Sequence, residues 1–170
     1  MPWRMALTVS ILCAALTASC SPSQPSNLPN RVFAEVDGLA YSFEVDAHAY
    51  ATGDTVRMLF RITNKSRTVK DFGQVNDCEY CICQVSVSQD GLDLWQSCRV
   101  PPPCAIVPFT LQAGASREFH HSWDLISDNG TFGQPDDDFA VRPGAYAVTA
   151  RVSAPHLNAV PLTLTIDVAR

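Results

Sequence analysis

Two segments of strict apolar–polar alternation, residues 116–124 and 145–153, do most to limit what this chain can fold into. In the first, Phe119, His121 and Trp123 fall on one side and Glu118, His120 and Ser122 on the other. In the second, Tyr146, Val148, Ala150 and Val152 share a side. A period of two belongs to extended backbone, whose side chains point alternately to opposite faces, so each segment buries one face against a second layer. Turn signals, Ala113-Gly114 and Pro143-Gly144, introduce them.

The same period recurs along the chain. Tyr41, Phe43, Val45 and Ala47 alternate with polar residues, as do Val56, Met58, Phe60 and Ile62. Cys83, Val85 and Val87 share a face of residues 82–89, and Asp90-Gly91 predicts a tight hairpin into residues 92–97. A shorter strand is expected near residues 68–72, and Leu162, Leu164, Ile166 and Val168 give a closing one. Three consecutive prolines, Pro101 to Pro103, keep residues 100–107 out of any central strand and predict a polyproline-like edge or loop. No segment beyond the N-terminus has helical periodicity. About eight short strands separated by turns predict an all-β, immunoglobulin-like antiparallel β-sandwich over residues 31–170.

The N-terminus carries different information. Arg4 precedes an apolar run, residues 6–16, too short to span a bilayer, followed by Leu16-Thr17-Ala18-Ser19-Cys20. Small residues before a cysteine resemble the bacterial lipobox, which implies a signal peptide over residues 1–19 and lipidation of Cys20. Several acyl chains there give a stable membrane anchor, since one alone binds only marginally. Ser21 in place of Asp implies outer-membrane sorting, with the domain facing the periplasm. Residues 20–30 are Ser-, Pro- and Asn-rich and read as a flexible tether. The remaining 151 of 170 residues suffice for one core and one domain. A net charge of −5 argues against nucleic acid as partner.

An order of features then points to a family. A DG hairpin leads to a Trp strand (Asp90-Gly91-Leu92-Asp93-Leu94-Trp95), and Phe109-Thr110-Leu111 runs into Ala113-Gly114. A strand ending Ser122-Trp123-Asp124 follows, then Arg142-Pro143-Gly144-Ala145-Tyr146. This resembles the BsuPI domain, named for an intracellular proteinase inhibitor of bacilli, over residues 41–152. The resemblance implies an immunoglobulin-like sandwich. It transfers no inhibitory residue, and the cysteine cluster, the proline run and the 126–140 excursion depart from the family pattern.

Of seven cysteines, five remain once Cys13 is removed with the signal and Cys20 is acylated. In an oxidising compartment Cys78, Cys81, Cys98 and Cys104 are disulfide candidates, with several pairings open. Cys83, level with Val85 and Val87, is the candidate to stay outside the bridges. A bridge from Cys78 or Cys81 to Cys98 or Cys104 closes a loop of about 20 residues, worth about 3 kcal/mol. The competing expectation is a thiolate metal site, but the spacing matches no paired zinc knuckle. His120 and His121 point to opposite faces and cannot grip one ion together. Asp128 and Asp136 to Asp138 lack the EF-hand spacing.

No nucleophile motif or phosphate loop is present, so neither an enzyme nor a cofactor or metal is expected. The leading expectation is a non-catalytic envelope lipoprotein, anchored in the membrane by lipid, whose module binds an unidentified protein. A proteinase inhibitor working through Arg99, Val100, Pro101, Pro102 and Pro103 is the first alternative, and a thiolate metal-binding protein the second.

Overall fold

The computed structural model describes residues 29–98, 104–128, 138–158 and 160–170. The signal peptide, Cys20, nearly all of the tether, the 99–103 loop and residues 129–137 lie outside the described residues.

The fold is an all-β sandwich whose strands pair mainly antiparallel. One sheet has the order β1 (Asn30–Val36), β2 (Leu39–Val45), β4 (Val56–Asn64), β9 (Ser116–Trp123). The other has the order β3 (Ala49–Ala51), β13 (Leu162–Ala169), β12 (Gly144–Val152), β6 (Cys83–Gln89), β7 (Leu92–Gln96). The chain crosses between them after β2, so that β3 lies parallel to the end of β13. Two ribbons complete the described structure: β5 (Lys70–Asn76) with β8 (Ile106–Leu111), and β10 (Ile126–Ser127) with β11 (Phe139–Ala140).

The alternating residues become the core. Phe43, Phe60, Phe119, Trp123, Val85, Val148 and Ile166 are all buried between the sheets. Phe60 touches Tyr41, Phe43 and Phe119 with tilted rings whose centroids lie 6.3–6.4 Å apart, an arrangement aromatic quadrupoles favour. Trp123 packs against Tyr146 and Trp95 and donates its indole N–H to the Ile126 carbonyl at 2.7 Å. The Tyr146 hydroxyl donates back to the Arg142 carbonyl, the tyrosine-corner arrangement of immunoglobulin-like sandwiches.

Asn64 is a fully buried polar residue at the end of β4. Its amide nitrogen donates to the carbonyls of Thr68 (2.7 Å) and Leu111 (2.9 Å). Its amide oxygen accepts from the Ser66 backbone N–H (3.0 Å) and hydroxyl (2.7 Å). Three of these four bonds close the β4–β5 turn and the fourth ties it to the end of β8.

Several expectations need correction. Thirteen strands occur among the described residues, not about eight. Asn30, expected within the tether, is instead the first residue of β1. The β1–β2 hairpin turns through Asp37 and Gly38, at φ +53° and +74°, the mirror-image turn that Asp-Gly adopts and that matches strand twist. Residues 106–107 belong to β8, a strand of the outlying ribbon, where Pro108 faces Gln74 next to a register irregularity; such a position tolerates a residue without an N–H. One helical turn, α1 (Glu79–Ile82), precedes β6 and takes in Ile82, expected at the start of that strand.

Candidate functional site

The sequence from β5 to β8 gathers the cysteines at one end of the sandwich. After Asn76 the chain makes α1, with the Cys81 N–H donating to the Cys78 carbonyl at 2.9 Å. That turn places Cys78 and Cys81 against the two segments that flank residues 99–103. Cys78 is bonded to Cys104 and Cys81 to Cys98, with Cα separations of 5.7 and 5.2 Å. Both values lie in the ordinary disulfide range. Each root of the proline-containing loop is thereby fixed to the same helical turn. Cys83 lies outside both bridges and is fully buried in β6.

Asp77 is the carboxylate grouped with the Cys78–Cys104 sulfurs. Bonded sulfurs carry no thiolate charge, so four of the five cysteines offer a metal nothing until the bridges are reduced.

Beside the Cys81–Cys98 bridge opens a hollow of about 570 Å³. Gln74 and Asn76 line it from β5, Gln84 from β6, and Ser153 to Pro155 from the chain beyond β12. A smaller hollow of about 200 Å³ adjoins it on the outer face of the five-stranded sheet, sharing Gln84 and Cys98. There the Arg151 guanidinium donates to the Gln84 amide oxygen from Nε at 3.3 Å and Nη2 at 3.0 Å. The two residues face each other across the β6–β12 ladder. Asp93 stands on the far wall and accepts from Gln96 Nε2 at 3.3 Å.

The histidines separate as their strand positions require. His120 is exposed near Glu118, 3.7 Å from its carboxylate. His121 is 5 % exposed, in the core beside Phe119 and Trp123. Burial, with a smaller contribution from the adjacent His120, pushes its pKa from 6.5 down to about 4, so it sits neutral at pH 7. Asp128 and Asp138 are the members of the acidic excursion that fall within the described residues; the excursion leaves and returns through the paired strands β10 and β11.

Sequence reasoning located the cysteines but missed Gln84, Arg151, Asp93 and the hollows around them. Gln84 and Arg151 were visible as outward positions of two strands. Their meeting depends on the β6–β12 register, which no local pattern carries.

No family model matches the chain, and no curated protein matches it. Among solved structures, it is similar to a β-glucosidase from Listeria innocua at 12 % identity and a TM-score of 0.42, over 76 % of this chain and 16 % of that one. Spo0M, a sporulation control protein from Bacillus subtilis, is similar at 12 % identity and a TM-score of 0.45, over 79 % and 51 %. The Pseudomonas fluorescens alkylpurine DNA glycosylase AlkC is similar at 11 % identity and a TM-score of 0.41, over 74 % and 28 %. The chain thus spans about half or less of each of these proteins, and likenesses this distant carry nothing about activity.

Proposed function

We propose that this chain is a non-catalytic, lipid-anchored protein of the bacterial envelope, whose BsuPI-like sandwich binds another protein at its disulfide-stapled end. The observation that carries the reading is the pair of bridges, Cys78–Cys104 and Cys81–Cys98, beside a polar hollow. Disulfides persist in exported proteins and are rare in a reducing cytosol. That agrees with the signal sequence and with lipidation at Cys20, facing the periplasm from the outer membrane. The BsuPI part of the reading rests on the sequence resemblance, carried by the Ser122-Trp123-Asp124 and Pro143-Gly144-Ala145-Tyr146 segments. Crosslinking of the tagged protein in its native envelope tests the reading. Adducts joining the stapled end to a specific protein support it; a mature form without N-terminal acyl groups removes the anchor, and adducts absent from that end remove the site.

A second reading is favoured by the anchoring of both roots of the 99–103 loop. A loop held at each end loses little entropy on docking, the property a proteinase inhibitor needs in Arg99 to Pro103. Slowed turnover of a serine proteinase, abolished by an Arg99→Ala change, is its expected signature. Undiminished turnover across a panel of such enzymes ends it.

A further inference from the structure

We infer that the two adjoining hollows form one cleft for an extended peptide segment bearing a single carboxylate, with Arg151 as the group that receives the charge. The inference rests on the protein-binding reading and names the partner's chemistry.

Gln84 makes the arrangement specific. By accepting from Nε and Nη2 of Arg151, its amide oxygen fixes the plane of the guanidinium. The Nη1 group and one Nη2 proton are left over, and no carboxylate among the described residues is ion-paired with them. An oriented arginine with spare coplanar donors suits a carboxylate, which it binds through charge-assisted hydrogen bonds. Three other arginines have carboxylate partners of this kind: Arg31 with Glu44, Arg57 with Asp46, and Arg61 with Glu118.

The rest of the cleft suits a polypeptide. Gln74, Asn76 and Gln96 present carboxamides, which offer both donor and acceptor to the peptide group. Val75, Ile106 and Pro155 supply apolar contact in the larger hollow. Among the described residues no aromatic ring lines either hollow, so none of them offers the platform on which a sugar face would stack. Asp93, on β7 in the lining of the smaller hollow, repels a second acidic group. The preferred ligand therefore carries one carboxylate, at its C-terminus or on one side chain, with neutral residues next to it.

The full-length protein in detergent, challenged with two acetylated pentapeptide libraries, tests this. Their internal positions are randomised over neutral residues, and they differ only in ending as the acid or the amide. Acid members are expected to be enriched about tenfold over amides, the scale of a charge-assisted hydrogen bond. Arg151→Gln should erase that preference while leaving the thermal midpoint in place, as befits an exposed side chain. Asp93→Asn should raise recovery of acid members carrying an additional Glu. Equal recovery of acids and amides by the wild-type protein, or an acid preference that survives Arg151→Gln, overturns the inference. Envelope crosslinks to a partner that map away from the cleft and persist in Arg151→Gln end it too, while leaving protein binding itself intact.

Discussion

Asn64 shows how one polar side chain can hold a turn in an apolar setting. Each of its amide groups has two partners among the residues around it, and truncation strands the buried Leu111 carbonyl, while the exposed Thr68 carbonyl keeps the Ser66 hydroxyl. Asn64→Ala should lower unfolding free energy by about 2 kcal/mol, since a buried acceptor left unmade costs about 1–3 kcal/mol; urea denaturation measures the loss. His121 behaves differently, because its burial disfavours the protonated form. Its folded pKa of about 4 lies below the ordinary 6.5. Between those values the unfolded chain binds a proton that the native state refuses, so stability falls as pH drops from 6.5 towards 4 and is unaffected by this group above that window. At pH 4.5 the loss should reach about 2–3 kcal/mol relative to pH 7. Comparing the wild type with His121→Met isolates this contribution, and parallel pH profiles for the two would show that His121 is not its source.

At the scale of elements, the bridges fasten α1 to the segments on both sides of residues 99–103. The Cys81–Cys98 bond closes a separation of 17 residues. Replacing both cysteines with serine should cost about 3 kcal/mol through the freedom regained by the unfolded chain. Thermal melts of this variant and of the wild type under reducing conditions should both shift downward. The strands themselves were largely legible: β2, β4, β6, β9, β12 and β13 each follow a clean period of two, because each has one face in the core. What escaped was the periphery. In β1, Val32, Ala34 and Val36 are only half-buried, and their pattern is hidden beside a polar, proline-rich run. In β8, Pro108 argues locally against a strand, but the ribbon's irregular register accommodates it. Helix α1 is a single turn, too short to show a period.

For the whole molecule, thiol chemistry joins the core to the N-terminus. With Cys78, Cys81, Cys98 and Cys104 bonded and Cys83 outside the bridges, the denatured mature protein should react with one equivalent of a thiol reagent if Cys20 is acylated. Two equivalents would mean that Cys20 carries no lipid, and mass spectrometry of the N-terminal peptide checks the same point. The candidate site was half legible at this scale. The cysteine cluster could be seen in the sequence, but the pairing and the facing of Gln84 and Arg151 come from the meeting of distant strands.

The first strand has a mechanical consequence. β1 faces β2 along its whole length, from Asn30 opposite Val45 to Val36 opposite Leu39, and the Asn30 side chain donates to the Thr165 carbonyl of β13 at 2.8 Å. Interstrand bonds run across the strands, so tension drawn lengthwise through the residues before Asn30 loads the entire ladder in shear. A sideways tug would instead unzip it rung by rung. Pulled lengthwise from Asn30, the first strand would resist as a unit.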